Sequence, residues 1–387
     1  MILTQCAVCA TELGLTLGKK CGRCSTRYCG AACQAQHWKE GGHDTLCKKI
    51  KKAGGAEQYN ANKKYAEAVS VAVEKCAEDT KGQTCYICTQ ALHWKTKEGL
   101  VRMCACRGTA GFAHVSCLAE QAKILIAEVE ENNLDWKVKS ERWTRWYSCS
   151  LCEQQYHGVV RCALGWACWK TYVGRPEANW ARGHAMGLLG IGLSHAEHYE
   201  DALSVQQAEL SMERRLGTSE SNILAVQANL ANSYEKLGRR EEALRKRRDV
   251  YSGRSKLNGE EDAKTLLAAN NYASSLRGLS RFKEAKTLLR RTLPAAQRVL
   301  DESHEITLRM RLNYARALYK DDGATLDDLR EAVTTLEDAG RIARRVLGGA
   351  HPLTVEIERL LQFVRAELRA RDGGVSAIRE AVEAMAA

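Results

Sequence analysis

From about residue 183 onward, apolar residues recur at helical spacing among abundant Ala, Leu, Arg and Glu, with only two prolines, a pattern that predicts helix after helix. The pattern itself repeats. Asn229-Leu-Ala231, Asn271-Tyr-Ala273 and Asn313-Tyr-Ala315 recur at a period of 42, and Leu237 to Ala243 aligns with Leu279 to Ala285 at the same offset. The units read as helix, turn, helix: Ile223 to Leu237 with Glu241 to Tyr251, Thr265 to Leu279 with Phe282 to Leu300, and a unit starting near Thr307 whose second helix runs Leu326 to Leu347. Pro352 suits the first turn of another helix. Tyr199 to Leu203 echoes Arg240 to Leu244, giving about four and a half units, and self-similarity at fixed spacing predicts an α-solenoid.

The first half is patterned differently. Leu118, Ala122, Leu125, Ile126 and Val129 give one helix an apolar face, and residues 160–185, with Trp166, Trp169, Tyr172 and Trp180, read as a helical junction whose aromatics pack. The most apolar stretch, Met186 to Leu193, is interrupted by Gly187, Gly190 and Gly192 and falls far short of the ~20 residues that span a bilayer, so no membrane span is expected.

Composition separates the halves further, because all 17 cysteines lie between Cys6 and Cys168. The start of the chain shows no charged n-region and no apolar h-region, so the expectation is an intracellular protein, cytoplasmic or nuclear, whose thiols bind metal instead of forming disulfides. The net charge of +11 counts every cysteine as neutral; fourteen thiolates around four Zn²⁺ ions bring it to about +5. Lys48, Lys49, Lys51 and Lys52 then read as a solvated helix end or linker, and nucleic acid is a minor alternative as partner.

Eight metal-ligand candidates open the chain as Cys6xxCys9, Cys21xxCys24, Cys29xxxCys33 and His43xxxCys47. A CxxC loop brings two thiolates to one metal, and i, i+4 pairs share a helix face, so eight donors suffice for two tetrahedral sites. Order and spacing, with Tyr28-Cys29, Cys33-Gln34, His37-Trp38, His43 and Cys47, resemble a MYND zinc finger. The resemblance implies interleaved sites, Cys6, Cys9, Cys29 and Cys33 on one zinc and Cys21, Cys24, His43 and Cys47 on the other, with His37 left out. It also implies a module that takes short peptides from other proteins, with Gln34 and Trp38 lining the groove. Packing of Trp38 into a small core is an equal reading.

A second set reads Cys85xxCys88, Cys104xCys106, His114xxCys117 and Cys149xxCys152. Two thiols two residues apart on an extended segment point the same way, and i, i+3 donors suit a helix start. The run Cys104-Ala-Cys106-Arg107-Gly108-Thr109 followed by His114-Val-Ser-Cys117-Leu118 resembles the RING-CH family. The resemblance implies Cys85, Cys88, His114 and Cys117 on one zinc and Cys104, Cys106, Cys149 and Cys152 on the other, hence about four Zn²⁺ per chain. It further implies a ubiquitin ligase that docks a ubiquitin-conjugating enzyme and works by proximity, with no catalytic residue of its own. Ile87 supplies the apolar docking residue inside the first CxxC, although a loop aliphatic packed on the zinc knuckle is an alternative. The family's helix tryptophan is replaced by Gln121, and the basic residue after the last ligand by Glu153. Trp143 and Trp146 either extend the docking surface or belong to the core. Cys76, Cys162 and Cys168 lack ligand spacing and read as free buried cysteines.

The 42-residue units are similar to tetratricopeptide repeats of the kinesin-light-chain kind. That resemblance implies an inner groove for a peptide, with Asn229, Asn271 and Asn313 gripping its backbone, while capping or inter-repeat hydrogen bonding is a near-equal reading.

The expected fold is therefore mainly α: two small zinc-stabilised cross-brace domains followed by an α-solenoid of helix-turn-helix repeats. The divisions are 1–50 MYND-type finger, 51–80 helical linker, 81–157 RING-CH-type finger, 158–182 helical junction, 183–372 repeats and 373–387 C-terminal helix. A ubiquitin ligase and a non-enzymatic adaptor or scaffold are the competing functions. Chelation is expected to unfold the first 152 residues and spare the helical half.

Overall fold

The computed structural model describes residues 4–14 and 17–386, with side chains as far as residue 373. It is mainly helical, with fifteen α-helices among the described residues and one two-stranded antiparallel ribbon pairing Lys19–Lys20 with Arg27–Tyr28. The chain forms two compact units, Met1–Leu237 and Gly238–Ala387.

In the first unit, α1 (Ala31–Lys39) and α2 (His43–Lys52) follow the ribbon and close a small core of Leu13, Tyr28, Ile50 and Ala56 with four buried cysteines. The long helix α3 (Ala56–Cys76) leads to the second cysteine cluster, which carries α4 (Val115–Glu131) and α5 (Trp136–Trp143). Then come α6 (Gly158–Tyr172), α7 (Trp180–His195), α8 (Tyr199–Leu216) and α9 (Glu220–Lys236). Helix α6 is buried on nearly every side, as expected of a helix apolar all round. It packs against α3, α4 and α7, and one continuous core runs from Ala61 through the buried cysteines Cys85, Cys117 and Cys149 to Met212. The segment read as a junction is thus the centre of this unit.

Glycine explains how α6 and α7 approach so closely. A Cβ on Gly165 would lie 3.1 Å from the Leu188 carbonyl oxygen, and one on Gly192 only 2.9 Å from that of Arg161. Of the glycines that interrupt the apolar stretch, Gly192 is thus a backbone-contact position, while Gly187 and Gly190 leave room for the Glu209 and Gln206 side chains of α8, and the segment is a packed helix inside the fold. Among the described residues no helix is long and apolar enough to cross a membrane.

The second unit stacks α10 (Arg240–Asn258), α11 (Ala263–Gly278), α12 (Phe282–Leu300), α13 (Glu305–Lys320), α14 (Leu326–Leu347) and α15 (Pro352–Ala386), each packed on the next. The alternate helices α11, α13 and α15 also touch in succession, the arrangement of a repeat solenoid. Alanine makes these crossings close: Ala269, Ala273, Ala285, Ala315 and Ala339 are fully buried. Thr325 and Asp328 form a capping box at the start of α14, and Asp328 also pairs with Lys286 of α12 at 2.9 Å. Helix α15 continues past residue 372, where the sequence reading separates a C-terminal helix.

Replacing Gly192 by Ala forces α6 and α7 apart. The expected result is a loss of about 1–3 kcal/mol in the denaturant unfolding of the first unit with zinc content unchanged, checked by urea titration and elemental analysis.

Candidate metal centres

Each CxxC pair sits on the same short turn, built four times. The amide of the residue after the second cysteine returns to the carbonyl of the first: Ala10 to Cys6 (3.2 Å), Ser25 to Cys21 (2.9 Å), Thr89 to Cys85 (2.8 Å) and Glu153 to Cys149 (3.0 Å). The first cysteine's own amide donates one residue further on, to Thr11, Thr26, Gln90 and Gln154 at 2.8–3.0 Å. Closing such a loop needs a left-handed residue after the second cysteine, and Ala10, Ser25, Thr89 and Glu153 all have φ between 55° and 61°. None is glycine. A non-glycine residue there costs roughly 1–2 kcal/mol, so the turn persists because something else holds it.

The remaining donors come from helices and a kinked extended segment. Cys29 and Cys33 bracket the first turn of α1, and His43 and Cys47 lie one turn apart on α2. His114 and Cys117 start α4, whose free end is capped from a distance: the Glu98 carboxylate accepts from the Ser116 amide at 2.6 Å and its hydroxyl at 2.9 Å. Cys104 and Cys106 come together around Gly111, where a Cβ would lie 2.6 Å from that of Cys106 and 2.9 Å from its sulfur.

The structure gathers these side chains into four groups: Cys6, Cys9, Cys29, Cys33; Cys21, Cys24, His43, Cys47; Cys85, Cys88, His114, Cys117; and Cys104, Cys106, Cys149, Cys152, with the donor atoms of each group within 4.8 Å of one another. Four Zn–S bonds of about 2.3 Å set tetrahedral edges near 3.8 Å. The observed separations fit: 3.5 Å for Cys9–Cys29, 3.9 Å for Cys21–Cys47 and 3.7 Å for Cys106–Cys149. A disulfide would need ~2.05 Å, so these are thiol sites.

The histidines present different nitrogens. His43 Nε2 faces Cys24 Sγ at 3.4 Å, whereas His114 turns Nδ1 to Cys88 at 3.4 Å and Cys117 at 3.6 Å. His114 Nε2 lies 3.3 Å from the Ala91 carbonyl, which as acceptor fixes the proton there and leaves Nδ1 free for metal. His37 stands outside the groups, its Nδ1 2.9 Å from the Tyr28 hydroxyl. Without a cation the sulfurs compete for protons. The Thr11 hydroxyl holds Cys9 down to about 6, while Cys29 pushes its neighbour Cys33 up to about 12. Four soft donors that cannot all ionise alone suit Zn²⁺, which takes them as thiolates, and the donor sets are those of closed structural sites with no open position for catalysis.

Cys162 and Cys168 are buried in the core, where desolvation pushes the first up to about 12 and the second well above the usual thiol range. Burial raises Cys76 too, and its thiol points at the Arg102 carbonyl 3.7 Å away. These are protonated packing groups.

The proposed docking residues fall in varied settings. Gln34 is half-buried and Trp38 is 44% exposed, one turn apart on α1. Ile87 is 38% exposed on its knuckle, whereas Trp143 and Trp146 are buried in the core. Asn313 is buried and donates to Asn270 Oδ1 at 3.0 Å, Asn271 lines a groove of about 670 Å³ in the second unit, and Asn229 lines a cavity of the first unit.

Residues 6–47 match the MYND finger family, and residues 265–305 match the tetratricopeptide repeat. No curated protein matches the chain. Among solved structures, kinesin-light-chain-type TPR-like repeats from Podosopora anserina align at 18% identity over 60% of this chain and 98% of theirs, with a TM-score of 0.41. BtubC from P. vanneervenii aligns at 15% identity over 66% of this chain and 92% of its own, with a TM-score of 0.36. The chain is thus a zinc-binding protein with a MYND finger and a TPR-like solenoid.

Four quartets predict about four zinc ions per chain, and Cys47→Ser is expected to remove about one, which elemental analysis checks. Because the second cluster shares its core with α6 to α8, chelation is expected to expose those helices as well as the first 152 residues. Hydrogen exchange should show α6–α8 losing protection while α11–α14 keep theirs.

Proposed function

We propose that the chain is a protein-interaction scaffold whose second zinc module, of RING-CH type, recruits a ubiquitin-conjugating enzyme while the MYND finger and the repeats hold partner proteins. The observation that carries the ligase reading is a hydrogen bond between the two knuckles of that module. Tyr86 Oη lies 3.0 Å from Ser150 Oγ, which ties together the loops bearing Ile87 and Leu151. Each residue sits inside a CxxC, and Leu151 is 51% exposed. Two unpartnered aliphatics on rigid, metal-held loops make a small apolar platform of the kind that anchors a partner. A ligase of this type makes and breaks no bond itself, so closed zinc sites are compatible with it.

The adaptor reading has its own support. Gln121 is half-buried on α4, Glu153 puts a carboxylate where a cationic donor is expected, and the burial of Trp143 and Trp146 leaves them unable to widen the platform. In either reading Gln34 and Trp38 share a face of α1 for a peptide, and the second unit's groove at Asn271 offers another. Asn313, committed to Asn270, supports the inter-helix role for that repeat position.

Autoubiquitination by the full chain across a panel of conjugating enzymes decides between the two. The ligase reading expects activity that Ile87→Ala lowers roughly tenfold or more, a hot-spot loss above ~1.4 kcal/mol, with zinc content unchanged. Activity indifferent to Ile87, or none with any conjugating enzyme, sinks it. Ligation that appears only in the Gln121→Trp, Glu153→Arg double variant establishes the adaptor.

A further inference from the structure

A cavity of about 440 Å³ opens in the first unit where the segment before the last zinc ligands meets α7, α8 and α9. Its aromatic side is Trp143 and His184, whose ring centroids are 5.7 Å apart within a cluster that includes Trp180. Its acidic side is Glu209 and Glu213, one turn apart on α8.

Glu209 is the anomaly. It is only 7% exposed, and its Oε2 is buried with no hydrogen-bond partner. A buried carboxyl normally finds a donor, because leaving one unsatisfied costs about 1–3 kcal/mol. Room has been made for this one. Gly187 of α7 lies beneath it, and a Cβ there would stand 2.8 Å from Glu209 Oε1. Glu213 accepts a hydrogen bond from the Thr218 hydroxyl and stays half-buried at the cavity. The other charged or ionisable groups lining the cavity are His184 on α7, Arg161 on α6 and Tyr147. Arg161 donates through Nη1 to the Tyr147 carbonyl at 2.8 Å with its guanidinium carbon 4.4 Å from the Tyr147 ring centroid, while its buried Nε has no hydrogen-bond partner.

We propose that this cavity binds the cationic head of an alkylammonium group, held between the Glu209 and Glu213 carboxylates beside the rings of Trp143 and His184. An ammonium supplies a donor to the Glu209 carboxylate, offsets the charge that ionising Glu209 beside Glu213 brings, and gains from the aromatic wall. The ammonium is either a lysine side chain of a partner protein or a free polyamine. The site needs no conjugating enzyme and stands independently of the ligase reading.

Burial, with Glu213 adding to it, raises the Glu209 carboxyl to about 8, so at neutral pH it keeps its proton in the empty cavity. An acid whose folded pKa is raised contributes stability that is complete below its unfolded value near 4.5 and is lost as pH rises toward 8. A cation favours the ionised form, so binding releases a proton below pH 8, and affinity there rises roughly tenfold per pH unit.

The test is isothermal calorimetry on the zinc-loaded full chain between pH 6.5 and 8.5, with spermidine, an end-blocked Gly-Lys-Gly peptide and its Nε-acetylated form as probes. The proposal expects a cationic probe to bind with proton release and the acetylated peptide not to bind. Spermidine alone binding identifies a polyamine site, and the lysine peptide binding better identifies a partner side chain. Glu209→Gln should lower affinity at pH 8 at least tenfold and abolish its pH dependence while raising the melting temperature there. His184→Gln should leave the proton release intact. A merely packed acid gives the stability gain with no change in binding. Failure of both cationic probes at millimolar concentration, equal binding of the acetylated peptide, or unchanged binding by Glu209→Gln overturns the proposal.

Discussion

Like charges cannot crowd into one small volume without a counter-ion, and much of the first unit is arranged around that constraint. Four groups of thiol and imidazole donors sit within 4.8 Å of one another, closer than four thiolates tolerate alone. Zinc turns that repulsion into the strongest local attraction in the domain. It also accounts for four non-glycine residues in left-handed backbone at equivalent places, since returning amides close each turn and a bound zinc would hold its two sulfurs. Remove the cation and both costs return together.

The constraint reaches beyond the ligands because the second cluster has no private core. Cys85, Cys117 and Cys149 are buried among the residues that seat α3, α6 and α7, and α6 is buried on nearly every face. The first cluster differs, closing its own small core around Tyr28 and Ile50. Two modules with the same donor logic are therefore coupled differently to the helices: one is a nearly self-contained finger, the other part of the foundation of α6 to α8.

The four donor quartets were legible in the sequence because metal geometry imposes discrete spacings, and helix existence was legible because a 42-residue period repeats a 3.6-residue one. Helix α14 falls at Leu326–Leu347, the span its pattern predicts. What the pattern could not carry is which core a face feeds. Residues 158–182 look like a junction when only local periodicity is read, yet α6 is central because Gly165 and Gly192 admit α7 at backbone distance. Nor did Ala10, Ser25, Thr89 or Glu153 advertise left-handed backbone, since none is a residue type that favours it. Only the CxxC before each one gave a signal.

The three repeat asparagines show the limit most sharply. Asn229, Asn271 and Asn313 occupy one register of the 42-residue period and share intrinsic chemistry, yet their surroundings separate them. Asn229 borders the acidic cavity of the first unit, half-buried Asn271 and buried Asn313 line one groove of the second, and Asn313 also donates to Asn270. A repeat conserves the helix position, but the adjacent helix decides whether the amide meets solvent or protein. At Asn313 the neighbour is Asn270 on α11, one residue before the repeat position, and its amide donates in turn to Asn271 Oδ1 at 3.4 Å, so the three side chains are linked along the groove. Equivalence in sequence therefore fixes a side chain's place on its helix, and its function follows from the donors and acceptors that packing leaves free.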